Sequence, residues 1–252
     1  FFKLIASCLI NDGMNAEEEE EEEAPQNISM LQPILNFVTP LLSHENLIIK
    51  AHALDIFGDL CQRSSITIEA YHQQAIQVFS EIIESGNAEA ICILGSYSIA
   101  IQEHFKDTDF KVVASSMNKL YEVATGENNA TPRQRLNLLT DICELLKDLS
   151  NPELEGKVIN FIIERISSNT KDLIVLICAA IIGIRKKVSQ ESAEIITAQL
   201  GRRLDEEEDS DLCQIYIQTL QKLFKKCPVS NDVVGSIIKK LMEGKLPFTR
   251  GY

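Results

Sequence analysis

The chain has no tryptophan among its 252 residues, and aromatic residues make up only 6% of it. Its apolar content is carried by Ile, Leu, Ala and Val. A β-sandwich of this length would show alternating Val, Thr and Tyr broken by glycine-rich turns. No such pattern occurs. Histidine is scarce as well: His44, His52, His72 and His104 stand apart, with neither HxxxH nor Cys–His spacing, so no metal site is expected. The seven cysteines (Cys8, Cys61, Cys92, Cys143, Cys178, Cys213, Cys227) form no CxxC pair and are odd in number. Most lie in apolar stretches, which reads as reduced core thiols in a reducing compartment rather than a disulfide framework.

Other absences bear on function. No GxxxxGK[ST] or GxGxxG is present to cradle phosphate, no GxSxG elbow, and no cysteine with a histidine placed to activate it. The expectation is a protein without cofactor, metal or catalytic residues, and not an enzyme. The longest apolar run, "LIVLICAAIIGI" (Leu173–Ile184), is shorter than the ~20 residues a bilayer requires. No signal peptide is recognised, so no membrane span and a cytoplasmic or nuclear location are expected. The start at Phe1, inside the helix-like "FFKLIASCLI", suggests a piece of a longer chain. Cationic residues are few in the first half: residues 1–128 hold 6 Lys+Arg against 20 Asp+Glu, and residues 129–252 hold 18 against 17. With a net charge of −13 the chain lacks the basic footprint of direct nucleic-acid binding. A partner with basic segments is the better complement.

What is present is a succession of helical patterns. Residues 1–10 read as a helix fragment. Residues 11–27, "NDGMNAEEEEEEEAPQN", read as a disordered acidic loop, because seven consecutive glutamates repel one another and bury nothing. Helices are expected at 28–43, 45–62, 68–85, 88–103, 109–124, 132–148, 152–167, 171–188, 190–206, 211–226 and 231–243. Residues 28–245 thus form one α-helical array, and 246–252 a C-terminal tail. Pro33 is expected in a first turn, and Pro40 to kink or end its helix. Helix starts carry capping signals, "TPRQ", "NPELE", "SQESAE" and "SNDV". Helix ends carry basic residues, as in "IRKK" and "LFKK", which suit the negative pole of the helix dipole.

The helices repeat. "AHALDIFGDL" (51–60), "AEAICILGSY" (88–97), "RQRLNLLTDI" (133–142), "LICAAIIGIR" (176–185) and "LCQIYIQTLQ" (212–221) superimpose without gaps. Their eighth positions are Gly58, Gly95, Thr140, Gly183 and Thr219, spaced by 37, 45, 43 and 36 residues. That spacing fits paired-helix units of the HEAT or armadillo kind. The expected fold is an all-α solenoid of about five antiparallel helix pairs, in which a small eighth residue admits a close neighbour. Beside the apolar face, His52, Asp55, Asp59 and Gln62 form a polar stripe. Asn137, Asp141, Glu144 and Asp148 form another, and Glu89, Ser96 and Glu103 a looser one. In a stacked array these would line one surface. The candidate partner-binding residues are His52, Asp55, Asp59, Glu89, Glu103, Asn137, Asp141, Glu144 and Asp148, placed to pair with Lys and Arg of a partner. Helix 171–188 departs from this pattern, with Ala180 and Ile184 at the polar positions. It is either buried on both sides or offers an apolar contact.

The stretch "HENLIIKAHALDIFGDLC", with "ICILGSYSIAIQEHFKDTDFKVVASSM" and "LIVLICAAIIGIRKKVSQESAEII", resembles successive units of the importin-β (karyopherin) HEAT array. The resemblance covers most of residues 28–205. It implies a right-handed superhelix that wraps basic import signals, a small GTPase, or phenylalanine-glycine repeats of pore proteins. The tryptophans with which such arrays grip basic signals are missing. The alternative reading is a structural scaffold subunit of a condensin-, adaptin- or phosphatase-scaffold-like complex.

Overall fold

A computed structural model describes residues 24–63, 69–104, 107–147, 149–168, 170–225 and 231–243. The segments read as an initial helix fragment and a C-terminal tail, and the glutamate run, lie outside them. Among the described residues the protein contains only helices and no strand. They are α1 (Ala24–Leu41), α2 (Leu47–Arg63), α3 (Glu69–Ser85), α4 (Ala88–Ile91), α5 (Gly95–His104), α6 (Asp107–Thr125), α7 (Pro132–Leu145), α8 (Pro152–Ser168), α9 (Lys171–Ile184), α10 (Gln190–Glu206), α11 (Ser210–Leu223) and α12 (Asn231–Met242). No described helix is long and apolar enough to cross a membrane.

Three of the four capping signals act as their chemistry requires, and Ser230 of the fourth lies outside the described residues. Thr131 and Gln134 form a reciprocal capping box at α7: the Gln134 amide donates to the Thr131 hydroxyl at 3.2 Å, and the Thr131 amide to the Gln134 side chain at 2.8 Å. Asn151 accepts from the Leu154 amide at 3.1 Å, and Ser189 from that of Ser192 at 3.2 Å. At the other pole Arg185 donates to the Ile182 carbonyl at 2.9 Å, and Lys187 reaches the Leu149 carbonyl at 3.4 Å.

Three expectations are corrected. The first helix starts at Ala24, so residues 24–27 are helical rather than loop. Pro33 lies in its interior instead of a first turn, removing one intrahelical bond, while Pro40 stands one residue before its end. The stretch read as one helix over 88–103 is two. Asn87 caps α4, whose chain tightens through Ile93 N→Ala90 O and Leu94 N→Ile91 O, both 3.1 Å, before α5 begins at Gly95. Ala88, Ala90, Ile91, Cys92 and Leu94 are all buried. Packing this apolar run on several sides overrides a continuous helix.

The chain divides into two compact units, residues 1–141 and 142–252. In the first, α2 packs along α5, α3 along α6, and neighbours in sequence pack on one another. Its core centres on Phe57, Phe79 and Tyr97, with the Phe79 and Tyr97 rings 6.2 Å apart. Gly58 sits where α2 crosses the start of α5: a Cβ there would lie 2.9 Å from the Tyr97 Cα. In the second unit, α8, α10 and α12 form one layer, with α8 on α10 and α10 on α12. Helices α9 and α11 form another, each paired with its predecessor. Leu154, Val158, Ile162 and Ile166 of α8 and Ile196, Leu200 and Leu204 of α10 bury one row each. Gly183 serves there as Gly58 does in the first unit, its absent Cβ falling 3.0 Å from the Cys143 Cβ. Thr140 and Thr219, the two threonines of the same series, fold their hydroxyls back on the carbonyls of Leu136 and Ile215 at 3.0 and 2.8 Å.

Candidate protein-binding surface

The polar stripe of α2 begins with His52, which is exposed, and continues through Asp55 and Asp59, both half-buried. Asp55 is engaged inside the protein: the Ser96 hydroxyl of α5 donates to its carboxylate. The same crossing requires Gly58, so one turn of α2 supplies both the close approach and the polar clasp across it. Glu89 is half-buried in the first turn of α4, where a carboxylate suits the positive helix end. The break before Gly95 separates it from Ser96 and Glu103, so these three do not form a stripe along one helix. Glu103 belongs to α5, but its side chain lies outside the described residues.

On α7, Asn137 is exposed and Asp141 half-buried. Asp141 occupies the space a side chain at Gly95 would take, the added Cβ falling 2.7 Å from the Asp141 Cβ. Gly95 is therefore small for a different reason from Gly58: it makes room for a carboxylate at the start of a helix. Cys92 shares this corner. Its thiol is pushed up to about 11, by burial first, with the Arg135 guanidinium opposing the rise and the Asp141 carboxylate adding to it. Such a thiol stays protonated at neutral pH. Glu144, half-buried in the second unit, pairs with Lys147 one turn on. Asp148 lies outside the described residues.

Thus the structure joins Asp55 to Ser96 and sets Asp141 against Gly95, while His52 and Asn137 face solvent. The side chains already bonded act as braces between helices.

A second polar cluster gave no sign of itself in the sequence. Glu207, after α10, is 5% exposed. It accepts from Lys171 Nζ at 2.6 Å and from the Glu208 and Asp209 amides at 3.0 and 3.1 Å. Burial pushes its carboxyl up, but Lys171 and those two amides outweigh this and hold it below the ordinary range. Its main-chain carbonyl accepts from Lys240 and, at 3.8 Å, from the Cys213 thiol. Beside it Tyr216 is pushed up to about 12, by burial first and then by the Glu207 charge. The cluster fastens the ends of α9, α10, α11 and α12 to one another, with three donors converging on the Glu207 Oε1. In "DEEEDSD" the buried carboxylate is chemically identical to its solvated neighbours, so only packing singles it out. No protein-family model and no curated protein matches the chain.

Proposed function

We propose that the chain is a non-enzymatic, protein-binding α-solenoid of HEAT type. On this reading about five antiparallel helix pairs follow a right-handed superhelix, and the protein acts as an importin-β-like transport receptor in the cytoplasm and nucleus. The observation that carries the reading is the packing within each unit, where a helix meets both its neighbour in sequence and a helix one repeat away. Gly58 and Gly183, at equivalent places in the repeat, stand at such contacts. An array built this way presents flanks rather than a pocket. The flank of the first unit is acidic, and its natural ligand is a Lys/Arg-rich segment. A small GTPase or phenylalanine-glycine repeats are the other partners this class of array takes.

Fluorescence anisotropy with a lysine-rich peptide tests the reading. Affinity should fall steeply between low and high salt, and Asp59→Asn with Glu89→Gln should weaken it several-fold while leaving the helical circular dichroism intact. Salt-independent binding, or none, removes the carrier reading. The scaffold alternative draws support from α9, where Val175 is 38% exposed on an apolar helix. Release of bound protein by a GTP-loaded transport GTPase separates carrier from scaffold, which would keep its partners stoichiometrically.

A further inference from the structure

Helices α10 and α12 lie side by side and run the same way. A Cβ on Gly201 of α10 would fall 2.7 Å from Val233 Cγ2, and one turn further along Asp205 pairs with Lys239 at 2.8 Å. Gly201 and Asp205 mark the side of α10 that α12 covers. In register, Val233, Ser236, Ile237 and Lys240 of α12 correspond to the buried Ala193, Ile196, Thr197 and Leu200 of α10, 40 residues earlier. Glu194, Thr197, Ala198 and Gly201 lie along the covered side of α10, within an arc of about 100°. On α12 the equivalents of the first three are Val234, Ile237 and Ile238. Val234 is 40% and Ile238 50% exposed, Ile237 is half-buried, and Met242 beyond them is 84% exposed. The row Val234, Ile238 and Met242 stands where α10 carries the exposed Glu194, Ala198 and Arg202, and where α8 carries Gly156, Asn160 and Glu164. Small and polar residues thus line the side of α10 that a helix covers, while the matching side of α12 is aliphatic and exposed.

A helix that closes a stack presents a polar side, and α12 presents the reverse. We propose that this side of α12 docks an aliphatic helix of a partner protein, lying parallel to α12 as α12 lies on α10. The occupant follows from continuity: α8, α10 and α12 form one layer in which each helix meets the next, and the open side of α12 extends that layer by one helix. A second copy of the chain cannot supply this helix from α10 or α12. The side that α12 turns to α10, and the side that α10 turns to α8, are already covered in every copy. The charges beside the row are engaged or placed for another reason. Lys239 pairs with Asp205, and Lys240 donates to the Glu207 carbonyl and lies beside Glu243. Asp232 sits in the first turn of α12, where the helix dipole favours a carboxylate. A membrane surface calls for free lysines along such a helix, and a nucleic acid would leave the aliphatic row without a counterpart. Only apolar side chains complement it, in the manner of a helix whose anchors recur at every turn. The inference rests on the second unit alone and does not draw on the acidic flank of the first.

The probe is a fluorescein-labelled synthetic helix with leucines along one face and equal numbers of lysines and glutamates on the other, titrated against the full chain. Saturable binding is expected. Ile238→Glu should weaken it about tenfold, since a carboxylate then faces the leucines, and Val234→Ser should weaken it less. Ile195→Ser, at an exposed aliphatic position of α10 off this row, should leave it unchanged. A photoreactive group at the N-terminus of the probe should label the first turn of α12, and one at its C-terminus the last. The chain alone should melt at the same temperature with Ile238→Glu as without it, because Ile238 is exposed. Absence of saturable binding, undiminished binding by Ile238→Glu, an equal loss in Ile195→Ser, or reversed labelling overturns the proposal. So does self-association of the chain that Ile238→Glu abolishes, which would make a second copy the occupant. A lowered melting temperature in Ile238→Glu also overturns it, since the row would then be covered within the chain.

Discussion

Glycine at a helix crossing shows how a single atom decides stability. Alanine raises helix propensity by up to about 1 kcal/mol over glycine. At Gly58 that gain meets a Cβ 2.9 Å from the Tyr97 Cα, which is backbone and cannot swing aside. Overpacking of this kind costs about 1–3 kcal/mol. Gly58→Ala should therefore lower the melting temperature by several degrees. Gly156→Ala, inside α8 with nothing within 4 Å of the new Cβ, should raise it slightly. Thermal denaturation of the two variants separates close approach from mere tolerance of glycine. At Glu207 the decision is electrostatic. Its folded carboxyl titrates below the ordinary value of 4.5, so its contribution is complete above that pH and disappears as acid reaches the folded value. The melting temperature, followed from about pH 6 to about pH 3, should fall less steeply in Glu207→Gln than in the parent, from a lower start. The buried Cys92 and Cys178 thiols, both pushed up to about 11 by burial first, should react with a thiol reagent at neutral pH only after unfolding. Mass-spectrometric mapping of the labelled cysteines reads this.

Between residue and domain, most helix starts were legible because the signals are local. A hydroxyl or amide three residues before an amide needs no distant partner. Thr131→Ala, which removes the hydroxyl acceptor of the α7 box, should cost about 1 kcal/mol in urea unfolding while helical content stays almost unchanged. The split of 88–103 was not legible. No proline or glycine pair marks residues 92–94, and the run "AICIL" has the same apolar character in a continuous helix as in a turn. Burial of nearly every residue from Ala88 to Leu94 bends the chain there. This also changes the meaning of one repeat position: Gly95 aligns with Gly58 in sequence, yet it opens a helix and yields its space to Asp141.

At the scale of the whole chain, contacts link helices near in sequence, and residues 1–141 and 142–252 each form a compact unit. If the helices stack as the proposed repeats, stability approximates a sum of local terms. A defect should accordingly stay within its unit. Hydrogen exchange of Gly58→Ala is expected to quicken in α2 and α5 and to leave α10 and α11 at the parental rate. Uniform loss of protection would show instead that the two units unfold as one.

Sequence alone determined the helical class, most of the helix starts and the small residues at Gly58 and Gly183, because propensity, capping and periodicity act within a few residues. Tertiary structure decided which polar side chains are engaged across helices. Asp55 and Asp59 look alike along the chain, but the Ser96 hydroxyl meets Asp55 only because α5 crosses α2 there. Glu207 is buried among acidic neighbours only because Lys171 and Lys240, 36 and 33 residues away, converge on it. Charge is a property of composition, whereas its solvation depends on which helix lies alongside.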